Sequence, residues 1–374
     1  MTKTIVVLGG AFAGLQVAHR LLKYTKPHVE DLKVILVSKN SHFFWNLASV
    51  RAVIPDLLKE EQYSAPIADG FAKYPSSAFE FVVGSAEGVD ADAKTVRVSV
   101  PGSDNGERVI SYDHLVLATG TRTVDASVPW KSNGTHAEIR ALVSGIQDRV
   151  RAARHIVVAG AGATGVETAA ELAFEFKDKE VVLLSGDREV LGGDSLASTV
   201  AAELKKLGVQ VREEARVVGS SVLPDGRTEV VLKSGEKIAT DLYLPTMGIV
   251  PNTEYLPAKL LTEKKYVDAD DFYRVNGAQD VWAAGDIVST GRASFVLSQK
   301  QAAGVAKNID LALKGKPPVV VKLLPFDVLF VSTGRNRGAG RLGSVKVFSI
   351  MVYMIKGKTL GVQQLPGYVD GSAF

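Results

Sequence analysis

Gly9-Gly10-Ala11-Phe12-Ala13-Gly14 and Gly160-Ala161-Gly162-Ala163-Thr164-Gly165 are the stretches of this 374-residue chain whose types and spacing bear most directly on chemistry. Each follows a β-branched run, Thr4-Ile5-Val6-Val7-Leu8 or His155-Ile156-Val157-Val158-Ala159, and each opens a helical pattern. Glycine lets the backbone bend sharply there and approach a pyrophosphate, whose charge rests on the free N–H groups of a helix N-terminus. Second strands at 33–37 and 180–184 supply the context this fingerprint requires. Two dinucleotide cradles in one chain point to electron transfer between the two bound molecules.

Composition narrows the chemistry. The chain has no cysteine, which removes disulfides, iron–sulfur clusters and thiol-based electron relays. His19, His28, His42, His114, His136 and His155 are scattered without ligand spacing, so no metal site is expected. A net charge of +3, interspersed along the chain, argues against specific nucleic-acid binding. The best candidate for a span, Val347 to Ile355, already contains Ser349 and falls well short of the roughly 20 residues that cross a bilayer. With the first turn beginning at Gly9, the expectation is no signal or transit peptide and a cytoplasmic location; Thr2 in place of glycine speaks against N-myristoylation.

The elements that position these turns read as an α/β chain: two Rossmann-like dinucleotide-binding domains and a small α+β C-terminal domain. Residues 4–37 form the first βαβ unit, with Leu15, Ala18, Leu21 and Leu22 as the helix stripe. Ser41-His42-Phe43-Phe44-Trp45-Asn46-Leu47 places aromatics in a loop, folded either over something flat and apolar or into a satellite cluster. A meander over 80–111, with turns at 90–92 and 103–106, leads to a strand ending at Ala118-Thr119-Gly120. The second unit repeats the βαβ pattern and closes at Gly248-Ile249-Val250-Pro251-Asn252. A strand then ends in Ala284-Gly285-Asp286, and a helix follows over 295–314. From about Val319 the pattern alternates like strands, with Arg335, Arg337 and Arg341 in a glycine-rich loop and a helix or strand over 345–355.

The two fingerprints, Ala118-Thr119-Gly120, Gly248 with Pro251-Asn252, and Ala284-Gly285-Asp286, in this order, resemble the flavoproteins of the disulfide-reductase-like superfamily over nearly the whole chain. Gly165-Val166-Glu167-Thr168-Ala169-Ala170-Glu171 and Asn46-Leu47-Ala48-Ser49-Val50-Arg51-Ala52 make the resemblance strongest to the ferroptosis-suppressor-protein branch of the apoptosis-inducing-factor homologues, with type II NADH:quinone dehydrogenases next. The resemblance implies an FAD domain at 1–122 and 271–322, an NAD(P)H domain at 123–270, and a C-terminal acceptor and interface domain at 323–374. It implies hydride transfer from NADH or NADPH to FAD and onward reduction of a quinone-type or other small-molecule acceptor.

Residue by residue, the resemblance assigns Gly9 to Gly14, Ser38, Lys39, Asn46, Arg51, Ala118, Thr119, Gly120, Gly285, Asp286 and Ser298 to the FAD side. Gly160, Gly162, Ala163, Thr164, Gly165, Glu167, Ser185, Arg188 and Gly248 fall on the nicotinamide side. Glu167 and Lys356 are its candidates for catalysis, against structural readings as a helix-dipole carboxylate and a solvated lysine. Two departures stand out: Ala11 replaces the middle glycine of the first fingerprint, and the strand-ending acid that usually holds a ribose is replaced by Ser38-Lys39 and by Ser185-Gly186-Asp187-Arg188. Arg188 is placed to meet a 2′-phosphate. The apolar and basic residues of 341–358 read as a surface lying on a membrane or lipid droplet, as a core strand or as a homodimer interface. A redox-sensing interaction protein and a reductase or oxidase of another small metabolite are the alternative functions.

Overall fold

Strand β1, Lys3–Leu8, is β-branched on both faces, and Ile5 to Leu8 are at most 1% exposed, as a strand covered from both sides by helices must be. The computed structural model describes residues 2–102, 106–288 and 294–374; of the expected turn at 103–106 all but Gly106 lies outside them. In chain order, β1 is followed by helix α1 (Phe12–Arg20), β2 (Leu32–Ser38), β3 (Phe79–Val83) and β4 (His114–Leu117). Helix α2 (His136–Ala152), closed by a Thr135–Glu138 capping box, leads to β5 (His155–Ala159), α3 (Ala163–Glu175), β6 (Glu180–Leu184), α4 (Ala197–Leu207), β7 (Gln210–Arg212) and β8 (Leu242–Pro245). The chain then returns through β9 (Val281–Ala283) and α5 (Phe295–Leu313) and ends in β10 (Val328–Ser332), β11 (Gly338–Leu342) and β12 (Val345–Val347).

Two parallel sheets carry the fingerprints, in the orders β9-β4-β1-β2-β3 and β7-β6-β5-β8. The late strand β9 pairs with β4 (Val281 opposite Leu115), so the chain leaves the first sheet and comes back to complete it. The crossing points are Thr121–Thr123 and Ile249–Pro251, which pair antiparallel. The expected meander forms Ser85–Asp90, Thr95–Ser99 and Glu107–Ser111. Contrary to the alternating pattern, 319–327 is not strand: the C-terminal sheet starts at Val328, and 345–355 divides into β12, the one-turn helix Ser349–Val352 and a π-turn, Tyr353–Gly357.

The aromatic loop folds over the chain itself. Phe12 is edge-on to Phe43, Trp45, Phe295 and Tyr368 at centroid distances of 5.1, 5.0, 5.2 and 5.5 Å. The Trp45 indole N–H donates to the Leu360 carbonyl at 2.8 Å, which ties the cluster to the C-terminal segment. Phe43, Trp45 and Tyr368 belong to the main core rather than to a satellite cluster, His42, Phe44 and Asn46 of the same loop face the cleft described below, and such edge-to-face contacts add about 0.5–1.5 kcal/mol each beyond area burial.

Candidate functional site

The two glycine turns are built on one geometry. At Gly9 (φ +115°) a Cβ would sit 2.2 Å from the Ala118 carbonyl oxygen, and at Gly14 a Cβ would lie 1.8 Å from the Gly9 oxygen. In the second unit Gly160 has φ +103° and a Cβ on Gly165 would lie 1.8 Å from the Gly160 oxygen. First and last glycine are therefore sterically required in both turns. The middle position is not: Ala11 is extended (φ −109°) and exposed, as Gly162 is extended at φ −71°. The alanine thus fits the turn without backbone strain. Neither α1 nor α3 has a side-chain N-cap or an acid in its first turn, so their free N–H groups and positive ends are left for a phosphate.

A cleft of about 420 Å³ opens over the first turn. Of the residues assigned to the FAD side, Gly9, Gly10, Ala11, Phe12, Ala13, Ser38, Lys39, Asn46, Ala118, Thr119, Gly120, Gly285, Asp286 and Ser298 line it. Gly14 lies beneath it as packing for the turn. Asp286 is held by an ion pair with Lys131, whose Nζ also donates to Thr121 Oγ1 at 3.2 Å. The turn that presents Asp286 is pinned by the Gly285 N–H donating to Gln301 Oε1 at 2.7 Å. Tyr255 lines the same cleft with its hydroxyl 3.1 Å from Thr119 Oγ1, and burial pushes its phenol well up, so it stays protonated. Lys131 and Tyr255 were not singled out from sequence, because each sits in a connecting stretch where no local pattern marks it.

Arg51 is not among the residues that line this cleft. It is 3% exposed; Nε and one terminal nitrogen donate to Glu171 at 3.0 and 2.6 Å, and the guanidinium also donates to the carbonyls of Gly357 and Lys358 at 2.8 and 3.0 Å. This corrects the FAD-side expectation, because the fork is spent joining α3 and the C-terminal π-turn. Burial pushes the Glu171 carboxyl upward, and the Arg51 pair opposes it.

In the second unit, the Thr246 hydroxyl lies within hydrogen-bond reach of the Ala159 and Gly160 carbonyls (2.9 and 2.8 Å), bracing the turn from the end of β8. Ser185 is buried and its hydroxyl is engaged with the Glu189 carbonyl at 3.2 Å, so it is turned into its own loop rather than toward a ribose. Arg188 stands 86% exposed beside Glu214 at 3.3 Å, a contact worth less than about 1 kcal/mol that leaves it movable. Gly248 has φ +76°. Glu167 and Lys356 meet directly: Lys356 Nζ is 2.6 Å from Glu167 Oε1, which also accepts from the Ser332 N–H at 2.8 Å. Lys356 Nζ donates to the Phe330 carbonyl at 2.9 Å as well. The pair thus joins α3 to the C-terminal sheet. Arg335, Arg337 and Arg341 pair with Glu175, Glu203 and Asp194 of the second unit.

Two parallel-sheet cradles within one chain, the first completed by a returning strand, define a two-dinucleotide oxidoreductase. The chain belongs to the pyridine nucleotide-disulphide oxidoreductase family, whose model matches residues 3–306. It is an FAD-dependent NAD(P)H oxidoreductase, although the family's eponymous disulphide is absent from a chain without cysteine. It is 41% identical to oxidoreductase ptaL of Pestalotiopsis fici, over 99% of both chains. It is 28% identical to ferroptosis suppressor protein 1 of Homo sapiens, covering 96% of this chain and 93% of that one. The sulfide:quinone oxidoreductase of Aquifex aeolicus shares the fold, with a TM-score of 0.80 at 17% identity over 99% of this chain and 92% of that one.

Proposed function

We propose that this enzyme carries electrons from NADH or NADPH through FAD to a quinone-type acceptor. The observation that carries the reading is the Glu167–Lys356 pair, which sets a carboxylate and an ammonium where the helix behind the second glycine turn meets the C-terminal sheet. In this reading 1–122 with 271–322 holds FAD, 123–270 holds the nicotinamide nucleotide and 323–374 shapes the acceptor site. The cofactors supply the hydride and electron chemistry, and the protein supplies alignment. The cleft residues Asp286, Thr119 and Asn46 orient one dinucleotide. Thr246 and Gly165 hold the second cradle rigid. Lys356, fixed by Glu167 and the Phe330 carbonyl, presents a positive charge and a donatable proton to an acceptor oxygen that gains electrons. The absence of a cysteine pair agrees with a small-molecule acceptor.

Peripheral membrane contact is part of the proposal. Among the described residues no helix is long and apolar enough to cross a membrane, yet Phe348 is 80% and Met354 67% exposed. Such residues suit a surface that lies on lipid.

The test uses the purified holoenzyme under anaerobic conditions, with NADH and NADPH in parallel. Bleaching of the flavin spectrum followed by reoxidation with a soluble quinone is the expected result. Bleaching without acceleration by any quinone overturns the acceptor assignment, and a protein that cannot be loaded with FAD overturns the whole reading.

A further inference from the structure

Helices α1 and α5 pack side by side, and a groove of about 770 Å³ runs between the end of α1 and the outer face of α5. Its third wall, residues 319–322, is strapped to α5 by the fully buried Asn308. That amide donates to the carbonyls of Val319 and Phe272 at 2.9 and 3.0 Å and accepts from the Val319 N–H at 2.9 Å. The strap closes tightly because α5 carries Gly304 beneath it, where a Cβ would come within 2.4 Å of Val321. The groove is therefore formed by the fold and not by loose side chains.

Its charge is one-sided. Arg20, Lys300, Lys307 and Lys322 line it against the single acid Asp310, which already pairs with Lys314 at 2.8 Å. None of the four cations has an ion-pair partner among the described residues. Two buried polar atoms without a hydrogen-bond partner fall in this groove, Arg20 Nε and Asp310 Oδ1. Arg20 Nε is a donor that an anionic oxygen would satisfy, whereas Asp310 Oδ1 is itself an acceptor and gains nothing from a phosphate. The Arg20 guanidinium lies 5.9 Å from the Tyr24 ring centroid, and its fork geometry suits a phosphate.

The surroundings select among phosphates. Val319, Val320, Leu323, Leu324 and Phe326 are between 36% and 53% exposed along the strap. Phe326 abuts the β11–β12 turn at Gly343, beside exposed Leu342 and Val345, and β12 runs on to Phe348. An apolar strip thus connects the groove to the C-terminal patch. That patch itself holds less free charge than its sequence suggests, since Lys356 and Arg341 are committed to Glu167 and to Asp194 and Asp327. A small soluble anion has no use for the strip, whereas a bilayer needs both charge and apolar area.

We propose that this groove is the docking site for the phosphate headgroup of an anionic phospholipid, with the 319–326 strip set against the acyl region. The inference rests on the peripheral-contact part of the proposed function and assigns its electrostatic component to α1, α5 and the strap.

Flotation of the FAD-loaded protein with vesicles of phosphatidylcholine, alone or mixed with phosphatidic acid, tests it. Wild type should float with the mixed vesicles at low salt. The Lys307→Gln/Lys322→Gln variant should bind them roughly thirtyfold more weakly, at about 1 kcal/mol for each basic group, with unchanged flavin content and solution turnover. Undiminished binding by this variant, alongside loss of binding by Phe348→Ser/Met354→Ser, overturns the groove and leaves the peripheral contact standing. Failure of wild type to float overturns both. Release by inorganic phosphate beyond that given by chloride at matched ionic strength reassigns the groove to free phosphate and overturns the lipid.

Discussion

Lys356 Nζ lies 2.6 Å from Glu167 Oε1, although the two are far apart in sequence, with the Glu167 side chain buried and that of Lys356 partly exposed. Oε1 of Glu167 takes both the ammonium and the Ser332 N–H. Removing either partner strands the other. We expect Lys356→Met and Glu167→Gln to retain FAD while slowing acceptor reduction by Lys356→Met and flavin reduction by Glu167→Gln, each on the order of tenfold. Stopped-flow measurement of the two half-reactions separates them. Equal loss of flavin and of thermal stability with both half-reactions intact would make the pair structural only.

The two glycine turns offer a controlled comparison. Gly14→Ala and Gly165→Ala each force a Cβ to within 1.8 Å of a carbonyl oxygen, in otherwise equivalent places. Gly14→Ala should yield colourless protein. Gly165→Ala should remain yellow and lose reduction by NAD(P)H, as read from absorbance before and after adding the nucleotide. The reverse pattern would exchange the cofactor assignments of the two units.

Arg51 makes a stability prediction. Arg51→Met leaves the Glu171 carboxylate buried without its partner, which costs about 3–5 kcal/mol, whereas replacing both in Arg51→Met/Glu171→Leu should recover most of that loss. Urea midpoints of the three proteins decide it; a double variant as unstable as the single one would show that the carbonyls of Gly357 and Lys358 dominate the clasp.

His19 supplies a pH window. Its ring is buried, stacks on Phe71 at 3.9 Å and donates through Nε2 to the Val369 carbonyl at 2.8 Å; burial lowers its pKa from 6.5 to about 4. The fold therefore prefers the neutral ring. Its contribution is complete above pH 6.5 and is lost as pH falls through the window toward 4, up to roughly 3 kcal/mol. Glu80, lowered to about 2 chiefly by Arg108, loses its contribution only below the ordinary carboxylate range. Between pH 6.5 and 5, denaturation midpoints of wild type should fall more steeply than those of His19→Gln. Parallel curves would place the acid sensitivity at His42 or His114, which burial also lowers.

The sequence by itself determined the local devices. Glycine spacing after a β-branched run dictates both turns, because the first glycine adopts a positive φ and a Cβ at the last would collide with the carbonyl of the first. The same logic makes Ala11 acceptable only once its φ is known. The strand ending in Gly285-Asp286 and the aromatic loop around Phe43 and Trp45 were legible as short-range patterns, and the missing cysteines set limits on the chemistry. Only the tertiary structure decided what the long side chains do. Arg51, assigned to the cofactor by the resemblance, is drawn to Glu171 because a buried guanidinium needs every donor satisfied, and a partner 120 residues away leaves no periodic trace. Ser185 turns into its own loop for the same reason. Lys131 reaches Asp286 from a linker because the chain returns to the first sheet through β9, and Lys356 reaches Glu167 from a π-turn because the C-terminal sheet packs against α3; no pattern within these segments encodes either meeting.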